Sequence, residues 1–177
     1  SGVDIEWTPL PIGRKAHEEC GNTLPDITRQ GLTQVHGWIL GPIGHAAYPK
    51  DKPGWGGMPP LRKMHDLFAS VKPVVSYPNI DSVHEDVDIV FLREVTEGMQ
   101  SYDVALGGTG EFRPNDEISI GTRVVTRKGA NRVAREAFEI AKTRPKKRVT
   151  AVHKEAVYRL VCGMFAEECR KVSKEYP

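Results

Sequence analysis

Alternation of apolar and polar positions predicts where the backbone runs extended, and three-to-four spacing predicts where it coils. Val3 to Trp7 alternates and predicts a strand, whereas Ile27, Gly31, Leu32 and Val35 follow Pro25-Asp26 at helical spacing. Trp38-Ile39-Leu40 predicts a further strand that runs into a glycine turn, Gly41-Pro42-Ile43-Gly44. The prolines and glycines between Lys50 and Pro60 predict a loop, and Leu61 to Ala69 a short helix. Pro73 to Tyr77 and Val87 to Leu92 predict two strands joined by the turn-rich Pro78-Asn79-Ile80-Asp81. Gly107 to Gly110 predicts a hairpin tip, since its spacing matches neither GxGxxG nor GxxxxGK[ST].

In the last third, Glu117 to Val125 alternates weakly. Thr126 is placed to cap a helix whose apolar face is Val133, Ala134, Ala137, Phe138 and Ala141. The basic run Arg144 to Arg148 ends that helix and is read as a solvated connector. Val149 to Val152 predicts a strand that delivers His153 and Lys154 at its end. From Ala156 onward, Val157, Leu160, Val161, Met164 and Phe165 recur at helical spacing, with Lys171 and Lys174 where cations suit the helix dipole. Strands alternating with helices predict an α/β fold with substantial parallel pairing.

At 177 residues the chain is long enough for one domain or two small lobes, and one compact unit is expected. Its net charge of +2 is dispersed among many acids and bases, so no nucleic-acid partner is expected. Cys20, Cys162 and Cys169 lack CxxC spacing and predict reduced thiols rather than a disulfide framework or zinc ribbon. Without a signal-like start or an apolar run near the roughly 20 residues of a membrane span, a cytoplasmic chain with no membrane partner is expected.

Candidate chemistry is sparse. His17-Glu18-Glu19-Cys20 has one-turn metal spacing, but nothing nearby completes a tetrahedral set, so an exposed helical edge is the better account and no metal ligand is assigned. Thr96 and Ser101 lie beside no evident activating base, which leaves covalent catalysis unsupported. More informative are the cations at element ends: Arg62, Lys72, Arg93 and Lys154. In α/β proteins ligands sit beyond the carboxyl ends of strands, where an arginine fork matches a carboxylate. Four convergent cations would hold a polyanion; four unrelated surface cations are the competing account.

Four stretches carry a resemblance: Leu40 to His45, Leu61-Arg62-Lys63 leading to Val71-Lys72-Pro73, Leu92 to Gly98, and Val149 to Lys154. In order and spacing the chain resembles the β-decarboxylating dehydrogenases, the family of isocitrate, isopropylmalate and tartrate dehydrogenases. The resemblance implies an isocitrate/isopropylmalate dehydrogenase-like α/β fold, incomplete here, with a mixed sheet flanked by helices. Residues 1–90 would be part of the large domain and 91–177 the small substrate and dimerisation domain. It also implies oxidation of a 2-hydroxy dicarboxylic acid of the malate or isocitrate type, with NAD or NADP and Mg²⁺ or Mn²⁺, followed by decarboxylation.

Residue by residue, the resemblance places Arg62 and Arg93 on substrate-gripping arginines and Lys72 in place of a third. Lysine there keeps the charge and loses the fork. Lys154 matches a catalytic lysine that moves the hydroxyl proton and reaches in from a partner subunit, and Ile43 and Gly44 match cofactor-contacting positions. A tyrosine that protonates the enol is replaced by Gln100, which has no useful titrating proton. Tyr102, on the same face if the segment is extended, is the candidate substitute. Ala156 replaces an asparagine. The family's first strand and turn, its metal-binding aspartates and its adenosine loop have no counterpart in this stretch, so the 177 residues alone are expected to be inactive. The helix after Ala156 matches the family's two-fold interface and implies a homodimer. A non-catalytic regulatory or assembly subunit that keeps the carboxylate pocket is the alternative, favoured by Lys72, Gln100 and Ala156. Oxidation without decarboxylation is a third.

Overall fold

A computed structural model describes residues 2–42, 58–99 and 110–176, and the side chains of all of these except 58–60. Packing divides the chain into two compact units, Ser1–Leu61 and Arg62–Pro177, in place of the single unit expected from its length. This partition reflects contacts within the chain, whereas the 90/91 boundary expected above refers to lobes of a longer enzyme.

The first unit is held by Leu24, Leu32 and Leu61, with Leu10, Ile12 and Trp38 packed against them. Helix α1, Gly13–Cys20, ends where Gly21 adopts φ 74° and donates its N–H to His17 O at 2.8 Å. Along α1, Arg14 pairs with Glu18 and Lys15 with Glu19, so Glu18 to Cys20 form an exposed, charge-laced helical edge with His17 half-buried beside it. Helix α2, Asp26–Leu32, follows Pro25, and its buried Thr28 hydroxyl donates to Pro11 O. Helix α3, Met58–Met64, begins before the expected Leu61 because proline is tolerated in a first turn, where its missing N–H has no helical acceptor. It ends with Leu67 N–H donating to Arg62 O at 2.8 Å and Asp66 at φ 46°.

Two expected strands in this unit are not formed. Val3 to Trp7 and Trp38 to Leu40 have no ladder partner among the described residues. Alternation fits an extended backbone, but a strand also needs a neighbour to satisfy its N–H and C=O groups. Val149 to Val152 likewise has no ladder partner among the described residues.

The second unit holds two antiparallel ribbons. Strand β1, Ala69–Val75, pairs with β2, Asp88–Glu94, in the register Ser70 to Arg93, Lys72 to Phe91 and Val74 to Ile89. Backbone bonds from Val95 N to Phe68 O and from Ser76 N to Val87 O bracket the ladder. Ser70, Lys72 and Val74 therefore fall in hydrogen-bonded pairs, while Val71, Pro73 and Val75 turn their nitrogens away from β2. Strand β3, Glu111–Asn115, pairs with β4, Ile118–Gly121, through a register shift between Phe112 and Asn115. The expected parallel pairing is thus corrected among the described residues: both sheets are two-stranded and antiparallel. Asp116 and Glu117 alone join β3 to β4, and residues 76–87 between β1 and β2 include none of the helix that a parallel crossover usually carries.

Helix α4, Arg127–Lys142, starts as its sequence predicts: Thr126 Oγ1 accepts from Gly129 N at 3.0 Å. Helix α5, Val161–Ser173, begins five residues after Ala156, because residues 155–160 are spent in turns, with Lys154 O accepting from Val157 N and Tyr158 N. Small buried residues, among them Ala130 and Ala134 on α4 and Gly163 and Ala166 on α5, line the two helices where they pack. Buried Glu168 accepts from Asn131 Nδ2 and from Arg127 Nη1, each at 3.0 Å, and these bonds hold its carboxyl below the ordinary range. Arg135 grips Glu175 through both terminal nitrogens and lowers that carboxyl too.

A second set of contacts ties β2 to α4. Glu94 accepts from Thr96 N at 2.8 Å, Glu97 N at 2.9 Å and Arg132 Nη2 at 3.1 Å. Arg132 also donates to Thr96 Oγ1 and to Asp66 Oδ1, each at 2.7 Å, with its guanidinium 4.4 Å from the Phe68 ring centroid. Glu97 Oε1 accepts from Thr126 N at 3.0 Å, at the mouth of α4. The polar string after β2 is therefore largely occupied in seating a helix.

A Cβ at Gly129 would lie 2.2 Å from Glu97 Oε1, so Gly129→Ala must displace that carboxylate. Alanine's helix propensity offers up to about 1 kcal/mol, and losing a charge-assisted bond removes about 1.5–3 kcal/mol. Urea denaturation is expected to show a net loss, and the same substitution on a Glu97→Ala background a smaller one or a gain. Glu168 and Glu175 have lowered folded-state pKa values, so their contribution is complete above the ordinary glutamate range and is lost as pH falls through the folded values. Thermal melts across acidic pH are expected to show that decline, with a shallower slope in Glu168→Gln.

Candidate functional site

Side chains alternate across a ribbon, and residues paired opposite each other share a face. With Ser70 opposite Arg93 and Lys72 opposite Phe91, Lys72 and Arg93 stand on one face of β1–β2 as diagonal neighbours. Such neighbours have backbones about 7–8 Å apart, within reach of long side chains. The opposite face carries Glu94, which α4 engages. Both Lys72 and Arg93 are exposed.

Neither cation has an ion-pair or side-chain hydrogen-bond partner among the described residues. By contrast Arg127, Arg132, Arg135, Arg144 and Arg170 each hold a carboxylate. Two like charges at this spacing repel, and a shared anion would relieve that repulsion. A two-point carboxylate ligand suits the arginine fork, with the lysine acting as a point charge.

Arg62 approaches from the chain just before β1. It lies partly buried in the last turn of α3, its side chain likewise without a partner among the described residues. Its carbonyl closes the helix end on Leu67, and the next residue, Phe68, accepts from Val95 N at 2.9 Å. The Arg62 segment and the end of β2 are therefore adjacent. Lys154 belongs to a separate exposed turn beside Glu155, whose carboxylate is held by Arg170 at 2.5 and 3.1 Å. No described contact joins Lys154 to the ribbon. Ile43, Gly44, Gln100 and Tyr102 lie outside the described residues.

Among the described residues no group of three His, Cys, Asp or Glu side chains could hold a metal ion. A divalent cation such as Mg²⁺ takes about six oxygen ligands, and these residues do not supply a set of its acidic ones. An open hollow on β3–β4, lined by Met99, Phe112, Arg113 and Ile120, contains none of the four candidate cations. No helix of the described residues is long and apolar enough to cross a membrane.

Pattern reasoning missed Arg132. It lies beside the apolar stripe of α4, and nothing in helical spacing distinguishes it from a solvated flank. Its partners Asp66, Phe68, Glu94 and Thr96 are remote in sequence and become neighbours only through the register of β1 and β2.

The isocitrate/isopropylmalate dehydrogenase family model matches residues 1–177. A 3-isopropylmalate dehydrogenase of Archaeoglobus fulgidus is 32% identical over 176 residues, covering 99% of this chain and 49% of that protein. An NAD isocitrate dehydrogenase regulatory subunit of Arabidopsis thaliana is 42% identical over 117 residues, 66% of this chain and 30% of the relative. The crystal structure of an isocitrate dehydrogenase from Methylococcus capsulatus superimposes with a TM-score of 0.82 at 31% identity, over 99% of this chain and 50% of its own. The chain thus spans about half the length, or less, of the relatives it matches. Matched from end to end in sequence, and through nearly its whole length in fold, the chain belongs to the isocitrate/isopropylmalate dehydrogenase family.

Proposed function

We propose that this chain forms the substrate-binding part of an NAD(P)-dependent dehydrogenase acting on a 2-hydroxy dicarboxylic acid of the malate or isocitrate type. The observation that carries this reading is the pair Lys72 and Arg93, on one exposed ribbon face without a carboxylate of their own among the described residues. Arg93 takes one substrate carboxylate in a fork, Lys72 adds a point charge, and Arg62 enters from the adjacent helix end. NAD or NADP, when bound, would supply the acceptor for the hydride of the hydroxyl-bearing carbon. Lys154 Nζ exchanges the hydroxyl proton; its exposed turn, with no described contact to the ribbon, suits a lysine that serves a partner copy's site. A cytoplasmic homodimer is the form proposed. Apolar exposure of Val157 and Leu160, at 60% and 86% just ahead of α5, supports a further protein surface there.

A second reading is a regulatory subunit that binds the acid without oxidising it. The 42% identity to a regulatory subunit favours it, as does a lysine at position 72 in place of an arginine.

With the full-length natural protein and a panel of malate derivatives including isocitrate and 3-isopropylmalate, NAD(P) reduction is expected. Binding by calorimetry without reduction selects the regulatory reading, and neither binding nor reduction sinks both. Carbon dioxide released in step with reduction assigns decarboxylation, and its absence leaves simple oxidation. Arg93→Ala removes about 1.5–3 kcal/mol of charge-assisted binding, which raises KM roughly 10- to 150-fold. Lys154→Met is expected to lower kcat about 10²- to 10⁴-fold while KM stays near its wild-type value. Light scattering should give the mass of two copies at micromolar concentration; a single copy removes the dimer.

A further inference from the structure

Arg132's hydrogen bonds go to neither Arg62 nor Arg93, yet it holds both segments that carry them. One terminal nitrogen donates to Asp66 at 2.7 Å, in the turn that follows α3. The other donates to Glu94 at 3.1 Å and Thr96 at 2.7 Å, in the residues that follow Arg93. The guanidinium plane rests over Phe68, whose carbonyl accepts from Val95. The planar fork holds its donors apart in a fixed geometry that spans the two segments, and a lysine's compact ammonium would not reproduce that span. The Nε of Arg132 is buried without a hydrogen-bond partner. An unsatisfied buried donor is unfavourable, so the side chain is held in its pose by its other contacts.

We propose that Arg132 is a positioning residue for the anion grip: it fixes the helix end bearing Arg62 against the strand end bearing Arg93, and so sets the spacing at which the two receive one dicarboxylate. This rests on the functional reading above. Asp66 is the arm of the clamp that reaches the Arg62 side. Its side chain is 72% exposed, so removing it costs little in packing, and its φ of 46° suits glycine without strain. Asp66→Gly therefore cuts one arm and leaves the fold intact.

The test measures the affinity of the full-length protein for isocitrate and for 3-isopropylmalate by calorimetry, in wild type, Asp66→Gly, Arg132→Lys and Arg93→Ala, each with a thermal melt. Loosening a grip without removing its charges is expected to weaken binding of the better acid about three- to tenfold in Asp66→Gly, and at least as much in Arg132→Lys. NAD(P) affinity and the melting midpoint of Asp66→Gly should stay at wild-type values, which a merely structural effect would not spare together. Should Arg132→Lys fail to fold, Asp66→Gly alone decides. If Arg93→Ala loses binding while Asp66→Gly matches wild type, the positioning role is overturned and the anion site stands. If Arg93→Ala binds as wild type, the site reading fails and the positioning role falls with it.

Discussion

Attachment of the β1–β2 ribbon to α4 is the constraint on which the second unit depends. A two-stranded hairpin is marginal in water by itself, and this one exposes Val74, Ile89 and Phe91 on its outer face. What steadies it is a polar clamp of limited exposure: Glu94 receives two backbone N–H groups and Arg132, while Glu97 satisfies the N–H of the residue that opens α4. Once the clamp closes, the remaining alternation is decided. Glu94 faces the helix, so Arg93 must face away, and Lys72 follows it by register.

The α4–α5 pair rests on a different balance. Small side chains at the contact bury little apolar area, so directional contacts around them carry more of the fit. Buried Glu168 is matched by an amide and a guanidinium, Arg135 meets Glu175 in a fork, and Tyr176 donates to Glu139 while its ring stacks 5.0 Å from Phe138. Replacing such matched groups with apolar ones would cost little in principle, whereas removing one partner strands a charge. The arrangement fixes which residues of the two helices meet more than it adds stability.

Much of this was legible beforehand where local chemistry decides. Thr126 capped its helix as read because the signal is one hydroxyl three residues from one N–H. β1 and β2 were placed to within a few residues by β-branched runs between turns. The segments that misled, Val3 to Trp7 and Val149 to Val152, share one cause: alternation reports an extended backbone, and a ladder depends on a second segment that no local pattern names. At the site, Lys72 and Arg93 could be singled out as cations flanking strands, but the structure sets both inside β1 and β2, and their common face follows from a pairing register that no local pattern names. Arg132 was invisible for the same reason.

Each ribbon carries a proline in its first strand, Pro73 in β1 and Pro114 within the register shift of β3. Pro73 falls at a position whose nitrogen points outward, so β1 loses no internal bond but offers a gap to any strand that would dock along its free border. The irregularity around Pro114 breaks the second border similarly. Ribbon borders left unpaired among the described residues would otherwise invite edge-to-edge pairing with their own kind in a crowded solution. These rings guard against that hazard while leaving the charged face of β1–β2 open to a small molecule.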